Sequence, residues 1–151
     1  MSIDYRLTLA GDVPLDRVAA RAFPEPADAA AFEPYESILV ADLWDRRGFG
    51  VTVHAGREGY VDGLADDARW EWEPDPYTTL SFDMDKNAPD DRGIDNLMAA
   101  VSRVLRSGAE DAALVLNGEV VVLTRFGGEL RKHNRQRWWS HYPGAEASIG
   151  D

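Results

Sequence analysis

Ala113-Leu114-Val115-Leu116-Asn117-Gly118-Glu119-Val120-Val121-Val122-Leu123-Thr124-Arg125-Phe126 is the stretch that decides the fold. An Asn-Gly pair between two apolar, β-rich runs supplies the positive φ angles of a type I′ turn, so the segment predicts a two-residue hairpin. Gly127-Gly128 breaks it, and a basic, tryptophan-bearing tail follows. Upstream, Ile94, Leu97, Met98, Val101, Val104 and Leu105 recur at helical spacing and predict a helix over 92–107, stopped by Gly108. Before that helix, Tyr77 to Met84 reads as a strand.

The N-terminal half repeats this order. Ile3, Tyr5, Leu7 and Leu9 alternate with Asp4, Arg6 and Thr8, the period of a half-buried strand. Asp12 as an N-cap and Pro14 in the first turn predict a short amphipathic helix over 14–23, carried by Leu15, Val18, Ala19 and Ala22. Pro24, Pro26 and Pro34 bracket an acidic loop with room for one helical turn. Ile38–Trp44 and Phe49–Ala55 are apolar runs joined by a hairpin-like Asp45-Arg46-Arg47-Gly48 connection. Gly56 to Gly59 forms a turn, residues 64–69 read as a loop, and Trp70-Glu71-Trp72-Glu73 alternates as a short strand. Strand, helix and hairpin thus occur twice. The expected architecture is a single α+β domain over 1–151, an antiparallel sheet with two helices packed on one face. Such a sheet leaves its other face wet, and that face is a natural docking surface.

Bulk properties narrow the function. A chain of 151 residues with 44% hydrophobic content and five each of Trp, Tyr and Phe buries a core without a disulfide, and it has no cysteine to form one. The N-terminus lacks a basic start and an apolar segment, and the longest apolar runs are too short to span a bilayer, so the expected location is the cytoplasm. The net charge of -11 argues against nucleic acid, whose phosphates require a basic face, and favours a basic protein partner or plain solubility. Arg125, Arg131, Lys132, Arg135 and Arg137 against Glu129 give one segment a local balance of +4, which leaves -15 on the remainder.

No constellation carries chemistry. Asp83, Asp85 and Asn87 open like a calcium loop, but Ala88 replaces the turning glycine and Ile94 the closing glutamate. Glu71 and Glu73 share a strand face, the spacing of a carboxylate pair. Burial of Trp70 and Trp72 on the other face produces the same pattern. His54, His133 and His141 have no metal-ligand spacing, and His133 and His141 beside the basic cluster fit an acid–base role on a phosphodiester poorly in so acidic a chain. The reading is non-enzymatic, with no metal and no cofactor. An unrecognised hydrolase using Glu71, Glu73 or His133, or a regulatory module with its own ligand, is the alternative. Candidate partner-binding residues are Glu71, Glu73, Arg131, Lys132, Arg135, Trp138, Trp139 and Tyr142, because Trp, Tyr and Arg dominate interface hot spots. Packing of one tail tryptophan on the sheet competes with that role, and burying both adjacent tryptophans is the harder arrangement.

The run Ala112 to Glu119 with Leu123-Thr124-Arg125-Phe126, the segment Trp70-Glu71-Trp72-Glu73-Pro74, and Trp138-Trp139-Ser140-His141-Tyr142-Pro143-Gly144 together resemble actinobacterial members of the swarming-inhibition-type (Sit) immunity family. The resemblance covers roughly residues 3 to 145. It implies a small cytosolic protein that protects a cell by binding a cognate toxin, without catalysis. It brings no residue roles with it.

Overall fold

Asn117 and Gly118 adopt φ angles of 53° and 66°, and the Glu119 amide donates to the Leu116 carbonyl at 2.9 Å, so the Asn-Gly turn forms. The computed structural model describes residues 2–85 and 91–150. The turn joins β8 (Ala112–Leu116) to β9 (Val120–Phe126). Pairing begins at Leu116 and Val120, which makes the connection three residues long, not two. The register shifts once between Leu114 and Val115. That bulge lets Val121, Val122 and Leu123 all be buried in succession.

The remaining elements follow in chain order. β1 (Ser2–Ala10) leads to α1 (Leu15–Ala22), whose N-cap is Pro14 and not Asp12. One helical turn, α2 (Pro26–Ala29), precedes β2 (Phe32–Tyr35) and β3 (Ile38–Leu43). The expected 45–48 connection is a single helical turn, α3 (Trp44–Arg47), closed by Gly48 at φ 93°, and it leads into β4 (Phe49–Gly56). Residues 64–69, expected as loop, instead belong to a hairpin of β5 (Val61–Ala65) and β6 (Ala68–Trp72). Asp66 takes the positive φ of 60° at its tip, which is why the small, acidic composition there did not read as strand. β7 (Tyr77–Asp85) and α4 (Arg92–Arg106) lie close to their predicted spans.

The tail holds more structure than the sequence suggests: β10 (Glu129–Lys132), a 3-10 turn at Trp139–His141, and α5 (Pro143–Ile149). A third multi-turn helix therefore joins the two expected ones.

Among the described residues all ten strands form one sheet in the order β2-β3-β4-β7-β1-β8-β9-β5-β6, with β10 also paired to β9. It is antiparallel except where Leu64 of β5 meets Val120 of β9. Strand alternation sends Tyr5, Leu7, Leu9, Val51, Val53, Leu80, Phe82 and Leu114 to one face, where α1, α4 and the tail cover them. Phe49 and Phe82 meet edge-on at 5.2 Å between ring centres, with Phe23 against both. α1 and α4 present Val18, Ala22, Leu97, Met98, Val101 and Val104 to this layer. The face opposite the helices carries the site. β2, at the outer edge, is four residues long and contains Pro34.

Candidate functional site

The helix-free face divides into a roofed half and an open half. Over β8 and β9 the sheet curls back, so that the β5–β6 hairpin lies across its own neighbours. Trp70 and Trp72 pack on Phe126 with ring centres 6.1 and 5.1 Å away. Gly63 is what allows this approach. A Cβ there would meet the Glu119 carbonyl oxygen at 3.0 Å and a Val121 methyl at 3.1 Å.

Between this roof and β4, β7, β1 and β8 lies a cleft of about 420 Å³, lined by Asp4, Arg6, Thr8, His54, Tyr60, Asp62, Tyr77 and Thr79 among others. Its charged groups are mutually engaged. Arg6 Nε donates to Asp4 at 2.8 Å, and Arg69 donates to Asp62 at 2.7 Å and to the Tyr60 hydroxyl at 3.3 Å. The Thr8 and Thr79 hydroxyls bond each other at 3.1 Å. Burial, with Arg6 nearby, pushes His54 below its ordinary value, so the imidazole is neutral near pH 7. The cleft thus holds arginine-paired carboxylates, a neutral histidine and the hydroxyls of Thr8, Thr79, Tyr60 and Tyr77.

A second polar cluster ties the roof to the tail. Asp66 accepts from the Asn134 amide at 2.8 Å and meets His133 Nδ1 at 3.0 Å, while His133 Nε2 lies 3.1 Å from the Thr124 hydroxyl. Asn134 Nδ2 donates to both Leu64 and Val121 carbonyls. Carboxylate, imidazole and hydroxyl stand in the order of a nucleophilic relay. Thr124, however, is only 3% exposed and does not line the cleft, so the cluster works as a latch.

The open half lies over β2, β3 and β4. Ala41 and Leu43 face the core, which turns Val40 and Asp42 outward, and the β2 pairings place Glu33 and Tyr35 beside them. Tyr35 is 64%, Val40 38% and Trp44 40% exposed, three of the five exposed large hydrophobic residues among the described residues. Trp44 lies against Gly50, where a Cβ would stand 3.2 Å from its Nε1.

Its position is fixed from below. Buried Asp28 accepts from Arg46 Nε at 2.8 Å and from Arg47 at 3.1 and 2.8 Å, and Glu25 joins both arginines. Burial raises the Asp28 carboxyl, but the hydrogen bonds from Arg47 and Arg46 outweigh it and hold the group below its ordinary value. From α4, Asn96 donates to the Arg47 carbonyl at 3.0 Å and Arg92 to that of Asp45 at 3.1 Å.

The residues singled out in the sequence do not gather in one place. Trp138 and Trp139 are each 3% exposed, so both belong to the core. Their rings meet at 79°, and each indole N–H is satisfied in a different direction, Trp138 on the Tyr5 hydroxyl and Trp139 on the Val122 carbonyl, both at 2.9 Å. Burial of both, expected to be the harder arrangement, is what the chain adopts. The irregular tail, with Trp138 at φ -124° and ψ -63°, directs both inward. Lys132 is buried as well, over the Trp139 ring and bonded to Glu146 at 2.7 Å. Tyr142 is half-buried against Trp138. Glu71, Glu73, Arg131 and Arg135 are exposed, with Glu71 3.5 Å from Arg69 and Arg131 3.3 Å from Glu129.

Among the described residues no group of three or more His, Asp or Glu is placed to hold a metal ion, and no helix is long and apolar enough to cross a membrane. Asn87 and Ala88 of the calcium-like reading lie outside the described residues. Val40 and Trp44 were missed because Ile38–Trp44 reads as an apolar run, although Asp42 between two apolar residues already marks the outward face, and Tyr35 because it lies outside that run. A family model described as SitI3-like matches residues 3–143. Comparison with curated proteins and with solved structures gives no match.

Proposed function

The chain belongs to the SitI3-like family, and from that membership we propose that it is a non-catalytic, protein-binding domain that acts in the cytoplasm and neutralises a cognate toxin by direct binding. The family match over residues 3–143 carries this reading. The charge of -11 supports it, because an acidic inhibitor draws a basic partner by long-range attraction. The pairing of Asp4 with Arg6 and of Asp62 with Arg69 supports a role without catalysis. Of the residues expected to contact a partner, Glu71, Glu73, Arg131 and Arg135 are open to one.

The test is protection. Co-expression with the toxin-like product of the adjacent gene restores growth, and the purified pair associates faster at low ionic strength. Absence of rescue, with both proteins expressed and folded, rules this function out.

A further inference from the structure

β2, β3, β4 and β7 lie side by side at one end of the sheet, and none of them contains a lysine or an arginine. Their helix-free face carries Glu33, Asp42 and Asp83, all exposed, together with His54, which is neutral near pH 7. Pairing Glu33 with Val40, Asp42 with Gly50 and Gly50 with Asp83 sets these acids on the same face as Tyr35, Val40 and the Trp44 ring. The nearby cations have partners of their own: Arg46 and Arg47 bond Asp28, Arg6 holds Asp4, and Arg92 donates to the Trp44 and Asp45 carbonyls.

We propose that this open half of the sheet, centred on Tyr35, Val40 and Trp44, is a docking surface for a basic protein face, whose arginine or lysine side chains stack on the two aromatic rings and meet Glu33, Asp42 and Asp83. The occupant follows from charge. An aromatic and aliphatic patch that carries Glu33, Asp42 and Asp83, with its neighbouring arginines held by Asp4, Asp28 and backbone carbonyls, disfavours an acidic partner and nucleic acid, and it provides both the ring face and the counter-charge a guanidinium requires. Exposed aromatics that are already held in place lose little freedom on binding, and the Asp28–Arg47 clamp and Gly50 hold Trp44 there before any partner arrives. Strand addition is not the mode, since the short edge strand β2 is interrupted by Pro34. The inference rests on the protein-binding reading above and gives it a location.

The probe is a short arginine–glycine repeat peptide titrated into the full chain at low salt, with a glutamate–glycine peptide of equal length as control, followed by amide and indole NMR resonances. The Trp44 indole and the amides of 33, 35, 40–44 and 52 are expected to shift first, while the buried Trp138 and Trp139 indoles stay fixed. Tyr35→Ala, at a side chain outside the core, weakens binding about fivefold, as does Glu33→Lys, and raised salt weakens all of it. Trp44→Ala gives a larger loss, read alongside Tyr35→Ala because Trp44 also covers Gly50. Shifts centred on Asp62, Glu71 and Glu73, shifts spread evenly over the acidic surface, or affinity unchanged in both Tyr35→Ala and Glu33→Lys overturn the proposal. Failure of toxin rescue with this mapping intact discards the immunity function and leaves the surface standing.

Discussion

Asp28→Asn removes a buried carboxylate that three arginine nitrogens share, and its cost can be worked from the geometry. Breaking a buried, hydrogen-bonded ion pair by deleting one partner costs about 3–5 kcal/mol, because the remaining charge stays uncompensated. Here the survivors keep Glu25 as a partner and are partly wet, with the Arg46 side chain 43% and that of Arg47 22% exposed, so both recover part of the loss. The expected value is therefore the low end, about 3 kcal/mol. With a slope of about 2 kcal/mol per molar urea, the unfolding midpoint drops by about 1.5 M.

A pH series separates charge from shape. The Asp28 carboxyl titrates below its ordinary value of 3.8 in the folded chain, so its stabilisation is complete above that value and fades as pH falls through the lower, folded one. The gap between the parent chain and Asp28→Asn should accordingly be constant near neutrality and close in acid. A loss under about 1 kcal/mol at pH 7, or a gap that persists unchanged at low pH, refutes the view that this clamp holds α2 and α3 together.

Other substitutions test the roof and the tail. Trp139→Ala empties a fully packed site and breaks the bond to the Val122 carbonyl, with an expected loss of about 3–5 kcal/mol in denaturant unfolding. Gly63→Ala forces a methyl group against the Glu119 carbonyl and Val121, costing about 1–3 kcal/mol, and faster exchange of the Leu64 amide should report the loosened hairpin. Burial pushes the Tyr5 hydroxyl far above its ordinary value of 10.0, only partly offset by the bond from Trp138. A phenol raised on folding stabilises the chain below its unfolded value, so stability declines as pH rises past about 10, and ultraviolet titration should show Tyr5 ionising only with unfolding.

Much of the fold was legible because its signals are local. The Asn117-Gly118 turn, the α4 periodicity from Ile94 to Leu105 and the β1 alternation each need only their own residues, and each forms where expected. What escaped depends on distant partners. β5 exists because Leu64 pairs with Val120 and Asp66 binds His133 and Asn134, contacts that no window around 64–69 contains. The tail read either as a contact surface or as one tryptophan packed on the sheet, and composition named no partners, but Lys132 finds Glu146 and Trp138 finds Tyr5 across a separation of 133 positions. The family resemblance drew on segments of both kinds, and its function carried no residue assignments. The surface argued for above was hidden for a simpler reason: in an apolar run, which half of the residues faces water is settled only by what covers the other half.

That division has an outcome for how such a protein changes. Leu39, Ala41, Leu43, Val51 and Val53 anchor the outer strands to the aromatic interior, while the side chains in between contribute little to holding them there. On the docking surface proposed above, recognition and folding are thus written on alternate letters of the same strands. A rival bearing a new charge pattern can be met by altering Glu33, Tyr35, Val40 or Asp42 one at a time, with the scaffold beneath left undisturbed.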